Sequence, residues 1–321
     1  MNFALIVDKC KVESYIVRDK KAYKLSNPEL PYQFHHSVGN ECFIGFWGYP
    51  FVFGGHFINW SEWNTLPDLN LDLIFVAIES DFQRYTIAEL RRTYPNATIV
   101  AVIKETWNWN QQCMQRLQVY NQCDHVFSCV SERHFQTYLP ELSQCTTPVS
   151  YMPQPVNINY LQDHFYNEIR DEVIFSYLPV WNASRIGRTE EFTKYISDKY
   201  NIPYIRTHTN NNTNQWHDFL NLWTPCTFHF NLDPMPMFPG QQAMQCAALG
   251  VIHIGGENDS HKMLWPETAT NDFDRLEYCF STYLNDYNKR LAVIQSAFDK
   301  LNDIYSYNSI KSKTLTTLNL L

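Results

Sequence analysis

A short apolar run, Val173 to Tyr177, leads into PVWNASRIGRTEEF, which sets Arg185, Gly187 and Arg188 just ahead of a predicted helix. Two guanidinium forks beside a helix N-terminus suit a diphosphate, because charge-assisted bidentate bonds and the helix dipole act together there. A solvated basic turn is the plainer reading of the same residues. Further along stands NLDPMPMFPGQQAMQCAALGVIHIGG, where Gly240 opens a second predicted helix and Ala243, Ala247 and Ala248 allow it to lie close to a sheet. Gln242 and Gln245 are three positions apart and share a helix face that can address a ligand. An ordinary buried helix with surface amides accounts for them equally. Arg206 and His208 close the strand PYIRTHT, and the NNNTN that follows reads as a polar loop.

In the first half, the strand TIVAVIKETWNWN ends in Lys104, Glu105 and Thr106. A carboxylate at a strand's C-terminal end can take the proton of an attacking hydroxyl. Glu105 is therefore the candidate general base, with a surface acid paired to Lys104 as the alternative. Asp81, after FVAIES, is the competing carboxylate, and Asp8 at the end of the first strand is another. His35, His36 and His56 lie in an aromatic segment, where a histidine is more often a packing residue. Trp107, Trp109, Trp60 and Trp63 stand near Lys104 in the reading, and such rings hold an extruded base or a sugar by stacking, or belong to a core. Arg84, Arg91 and Arg92 make one small basic patch on a single helix, thin for a surface that binds a duplex.

The elements that must position these residues follow from the hydrophobic pattern. Short apolar runs (Phe3 to Val7, Leu73 to Ile78, Thr98 to Ile103, His125 to Val130, Val149 to Met152) alternate with predicted helices at Gln83 to Thr93, Asn110 to Tyr120 and Ser131 to Tyr138. That alternation is the signature of a parallel α/β sheet. Lys21 to Leu66, with FIGFWGYPFVFGGHFINW, has no helical period and reads as strands and loops inserted after the first unit. Pro153, Pro155 and Asn157 interrupt the pattern, which restarts at Val173 with helices at Thr189 to Lys199, Asn214 to Leu222 and Gly240 to Ala248 between the strands. Asp272 to Leu321 reads as two long amphipathic helices able to cross back onto the first half.

At 321 residues, 45% hydrophobic and 18% charged, the chain has material for two packed domains and no signature of disorder. A net charge of −8 argues against a protein that coats nucleic acid. Nine cysteines with no CxxC pair fit buried reduced thiols better than a disulfide framework or a zinc site, and no Asp-x-Asp stands at a strand end, so no metal is expected. Without a long apolar run, and with acids and bases early in MNFALIVDKCK, the expectation is a cytoplasmic protein with no membrane partner.

The second half resembles the GT-B glycosyltransferases, and among them the phage β-glucosyltransferases that modify hydroxymethylcytosine in DNA. SRIGRTEEF is similar to that family's Ser/Arg-rich diphosphate turn, which carries Ser184, Arg185 and Arg188 into diphosphate binding. GQQAMQCAALG is similar to its ribose and phosphate helix, with Gln242 and Gln245 in place of an Arg and a Glu. The resemblance implies an α/β, GT-B fold of two Rossmann-like domains facing a central cleft. Residues 1–158 would hold the acceptor, joined by a C-terminal helix at about 300–321, and residues 159–299 the nucleotide-sugar donor. It implies a metal-independent hexosyl- or pentosyltransferase with a UDP-sugar as co-substrate and no other cofactor. Glu105, in the place of the family's catalytic aspartate, would be the base of an inverting transfer, with Arg206, His208 and Gly240 on the donor and Lys104, Trp107 and Trp109 on the acceptor. The favoured acceptor is a 5-hydroxymethylpyrimidine in double-stranded phage DNA. A glycan or small-molecule acceptor, or a noncatalytic nucleotide-sugar-binding protein, are the alternatives.

Overall fold

The computed structural model describes residues 1–7, 13–32, 45–65, 69–78, 84–103, 116–131, 139–168, 170–177, 183–207, 216–232 and 241–320. Strands are numbered in chain order. β1 (Phe3–Val7) is FALIV with every residue buried, as an apolar run becomes when a strand is paired along both edges and covered on both faces. Its parallel neighbours are β5 (His56–Asn59) and β6 (Leu73–Ile78). Parallel pairing continues from β6 through β7 (Thr98–Ile103) and β8 (His125–Ser128) to β9 (Val149–Tyr151). Beyond β5 the sheet turns antiparallel through β2 (Tyr15–Arg18), β3 (Lys21–Lys24) and β4 (Asn27–Pro31), giving the order β4-β3-β2-β5-β1-β6-β7-β8-β9. All five residues of β4, NPELP, are exposed, and its prolines withhold two N–H groups from the open edge.

The aromatic segment differs from its expected form. Lys21 to Leu66 holds the expected strands, β3, β4 and β5, but Gly45–Gly48 is a 3-10 turn and Tyr49–Phe53 a short α-helix, and β5 lies inside the sheet between β2 and β1. The helix shows no amphipathic period because all five of its residues are buried. Phe53 stacks on Phe3 with ring centroids 4.6 Å apart, and Tyr49 meets Phe75 edge-on at 4.9 Å, so the aromatics serve the core of β1 and β6.

A second sheet contains β10 (Asp171–Tyr177), β11 (Tyr204–Thr207), β12 (Cys226–Phe230) and β13 (Ile252–Ile254), all parallel, in the order β11-β10-β12-β13. Its connecting helices are Ala183–Tyr200, Trp216–Trp223 and Gln241–Leu249. Between the break at Pro153 to Asn157 and β10 the chain forms the helix Ile158–Phe165, capped by the Asn157 side chain. Of the helices expected at Asn110 to Tyr120 and Ser131 to Tyr138, the first is described over 116–120 only, and the second lies outside the described residues apart from Ser131.

The C-terminal stretch forms three helices rather than two: Phe273–Asn285, Tyr287–Tyr305 and Tyr307–Thr317. Asp286 ends the first and caps the second by accepting from the Lys289 N–H at 3.0 Å, and Ser306 takes extended dihedrals before the third. The chain divides into two compact units. One holds β1 to β9 together with Tyr307–Thr317, which packs on the Tyr49–Phe53 helix and buries Ile310 and Thr314. The other holds the elements from Ile158 to Tyr305.

Candidate functional site

In an open parallel sheet, ligands bind beyond the carboxyl ends of the strands where the strand order reverses. In the second unit the chain leaves β10 toward β11 on one side and β12 toward β13 on the other, so the reversal lies between the adjacent strands β10 and β12. The helices that follow those two strands carry the sequence-predicted Arg188 and Gln242.

The helix after β10 begins earlier than its sequence suggested. It spans Ala183–Tyr200, which places Ser184, Arg185, Gly187 and Arg188 inside its opening turns rather than in a turn before it. Gly187 sits within the helix, where a Cβ would meet nothing, and an interior glycine weakens a helix by only about 1 kcal/mol relative to alanine. Thr189, buried, accepts from the Leu232 N–H at 2.9 Å, and its carbonyl accepts from the Thr193 hydroxyl at 2.7 Å. Asn231, the residue after β12, donates from Nδ2 to Gln242 Oε1 at 2.6 Å and from its backbone N–H to Ile254 O at 3.0 Å. The two helix openings thus converge on Asn231 and Leu232.

Arg188 is exposed, donates to Asn271 O at 2.6 Å and stands over the Phe273 ring, 5.4 Å from its centroid. A guanidinium has five N–H donors, so this engagement fixes the side chain and leaves others to spare. Arg206 pairs with Glu190 at 2.9 Å, which ties the end of β11 to the Ala183–Tyr200 helix. The two glutamines do not share surroundings. Gln242 is half-buried on Asn231, whereas Gln245 is wholly buried and both its amide atoms lack a hydrogen-bond partner among the described residues. Leaving such a group unpaired costs about 1–3 kcal/mol. Among the loops, the one after β13 is described: Gly255 and Gly256 adopt φ of +98° and +81°, and Asn258 then caps Asp259–Leu264 by accepting from the His261 N–H. A Cβ on Gly256 would collide with the His261 ring.

Glu105, Asp81, Lys104, Trp107, Trp109, His208 and Gly240 lie outside the described residues, as do Asp8, His35 and His36; only the backbone of Ser184 and Arg185 is described. Trp60 packs against the core of the first unit, and His56 Nδ1 lies 3.2 Å from Phe3 O, its pKa lowered by burial. Of the basic patch, Arg91 is held by Asp124 at 2.6 Å and by Ala97 O at 3.1 Å, while Arg92 remains exposed.

One cluster escaped the sequence reading. His229 and His253 are register partners on β12 and β13 and therefore project from the same face; their Nδ1 atoms are 2.9 Å apart. Cys246, on the helix covering that face, places Sγ 3.8 Å from His253 Nδ1, and His261 Nδ1 lies 3.1 Å from His253 Nε2. All four side chains are fully buried. Burial holds the three imidazoles neutral, His229 and His261 at about 3 and His253 well below its ordinary value. Burial pushes the Cys246 thiol well up. The signal available in sequence was the pair FHF and IHI, each with a histidine in the middle of an apolar strand.

No family model matches the sequence, and no curated protein matches it. Solved structures do resemble the fold. An α-glucosyltransferase in complex with UDP and a 13-mer DNA containing an HMU base aligns with TM-score 0.56 and 11% identity, over 82% of this chain and 85% of that one. The N-terminal domain of trehalose-6-phosphate phosphatase from Candida albicans gives 0.54 and 10%, over 78% and 70%. HepE (Alr3699) of Anabaena, in complex with UDP, gives 0.53 and 10%, over 78% and 79%. The fold is that of the GT-B glycosyltransferases.

Proposed function

We propose that the protein is a glycosyltransferase that takes a sugar from a nucleotide diphosphate sugar, a UDP-sugar, and passes it to a hydroxyl acceptor. The observation that carries the reading is that the opening turns of the two helices bearing Arg188 and Gln242 meet through Thr189 on Leu232 and Gln242 on Asn231, at the strand-order reversal of the second unit. Anions are favoured at helix N-termini, and an arginine there stabilises a leaving diphosphate without a metal. Ser184 and Arg185 complete the diphosphate contact, the unpaired amide of Gln245 serves the ribose hydroxyls, and Arg206, His208 and Gly240 line the donor site. Two structures of similar fold are in complex with UDP, which supports this donor class.

Glu105 is the proposed general base of an inverting transfer, with Asp81 as its competitor, and Lys104, Trp107 and Trp109 hold the acceptor. The favoured acceptor is a 5-hydroxymethylpyrimidine in DNA. The α-glucosyltransferase with its HMU-containing 13-mer supports the choice, while the commitment of Arg91 to Asp124 takes one cation of that helix out of play and favours a glycan as the second reading. A noncatalytic nucleotide-sugar-binding protein fits the engagement of Gln242 by Asn231.

Calorimetric titration with UDP and UDP-glucose tests the donor site. Arg188→Ala is expected to weaken UDP about 10- to 100-fold, the equivalent of one charge-assisted hydrogen bond. Unchanged affinity would remove Arg188 from the site, and no binding of any nucleotide by the wild type would end the reading. With binding established, transfer of labelled glucose to hydroxymethylated duplex, set against a glycan panel, identifies the acceptor. Loss of turnover in Glu105→Ala with donor affinity retained separates enzyme from binding protein.

A further inference from the structure

We propose that His229 Nδ1, Cys246 Sγ and His253 Nδ1 are the protein ligands of a buried thiophilic transition-metal ion, Zn²⁺ or Cu⁺, that locks the second sheet to the helix Gln241–Leu249. The three donor atoms all lie within 4.8 Å of one another. They come from β12, β13 and the helix between them, so one ion would join three elements.

Hydrogen bonding alone does not use this arrangement fully. His253 Nδ1 faces both His229 Nδ1 at 2.9 Å and Cys246 Sγ at 3.8 Å, and a single ring nitrogen carries either one proton or one lone pair. One cation accepts all three lone pairs at once. Metal–nitrogen bonds of about 2.0–2.1 Å and metal–sulfur bonds of about 2.3 Å in a tetrahedral site imply N···N near 3.4 Å and N···S near 3.6 Å. The two imidazole nitrogens need to part by about 0.5 Å and the sulfur to approach His253 by about 0.2 Å, while the sulfur and His229, within 4.8 Å of each other, close by about an ångström at most through side-chain rotation. The outer partner is also present, since a ligating histidine typically gives its other ring N–H to a fixed acceptor, and His253 Nε2 stands 3.1 Å from His261 Nδ1. His261 is itself held by the Asn258 cap and by the absence of a side chain at Gly256.

A thiolate and two neutral imidazoles form a borderline-soft set that selects Zn²⁺ or Cu⁺ over the hard cations. With Cu⁺ the buried complex is neutral, whereas Zn²⁺ leaves one positive charge and calls for a fourth ligand. The metal content of the full chain, purified without a metal-affinity step, dialysed against chelator and reloaded with Zn²⁺ or, anaerobically, with Cu⁺, tests the assignment. One tightly held ion per chain is expected, with a rise in melting temperature, and the ion retained at lower free concentration identifies the metal. Wild-type protein loaded with Co²⁺ is expected to show thiolate charge-transfer bands, a readout that needs no variant. Cys246→Ser and His229→Gln are each expected to lower the stoichiometry from one toward zero, and Cys279→Ser to leave it at one. Failure of the reloaded wild type to hold any of the three ions, or stoichiometry unaltered in both ligand variants, overturns the proposal.

Discussion

Glu277 gathers three partners from the neighbouring helix: the Tyr195 hydroxyl at 2.6 Å, the Tyr200 hydroxyl at 2.7 Å, and the ammonium of Lys199. These bonds, led by Lys199, favour the anion and hold the carboxyl at about 2 instead of 4.5. A carboxyl with a lower pKa folded than unfolded contributes stability above its unfolded value and loses it as pH falls toward the folded one. The melting-temperature gap between wild type and Glu277→Gln should therefore hold steady from neutral pH down to about 4.5 and close below it. A gap of the same size at about pH 3 would mean that the cluster does not form in solution. Gly256 makes a second residue-scale case. Its φ of +81° and the proximity of His261 make Gly256→Ala costly, by about 1–3 kcal/mol of unfolding free energy in urea titrations. Chemistry at this scale was only partly legible. The cluster of His229, Cys246, His253 and His261 was not legible, because its members are separated by 17, 7 and 8 positions and meet only through strand register and the packing of two helices.

At the scale of elements, Arg170 shows how the second sheet is fastened to its covering helix. One guanidinium nitrogen donates to Thr224 O at 2.6 Å and Cys226 O at 3.2 Å, and the other donates to Leu249 O at the helix C-terminus. Cations are favoured at that end of a helix, and here the three carbonyls would otherwise lack this donor. Arg170→Met keeps the length of the side chain and removes the donors, and should lower stability by about 1–3 kcal/mol, read from chemical denaturation. Removing the Asn258 cap by Asn258→Ala should cost about 1 kcal/mol. The positions of β1, β6, β7 and β10 were readable because apolar runs five to seven residues long are hard to place anywhere but in a covered sheet. Helix starts were less so, since Ala183 to Arg188 contains a glycine and two arginines and only the surrounding sheet makes it continue as helix. The FWGYPFVF segment was unreadable as a helix because burial on every side erases the periodicity that sequence reading depends on.

For the whole molecule, alternation of apolar runs and helices identified two α/β units, while the place of β5 inside the first sheet was invisible, as nothing local says which strand will be its neighbour. The first unit is completed by Tyr307–Thr317, whose Thr314 donates to Met152 Sδ at 3.7 Å and whose Lys313 ammonium lies 4.8 Å from the centroid of the Tyr151 ring. Deleting residues 307–321 should uncover the apolar Tyr49–Phe53 helix and lower the melting of the first unit. Hydrogen exchange should rise across β1 and β6 and stay unchanged across β10 and β12; equal loss in both sheets would show that the helix serves the second unit as well.

The order in which a ribosome delivers this chain gives that last helix a temporal role. The strands β1 to β9 of the first unit leave the exit tunnel early, yet the helix that packs on Tyr49–Phe53 is made only after the described elements of the second unit have been translated. Domains ordinarily fold as they emerge, N-terminal first. Here the second unit has all its described elements available before the first does, so the Tyr49–Phe53 helix stays uncovered until synthesis reaches Thr317.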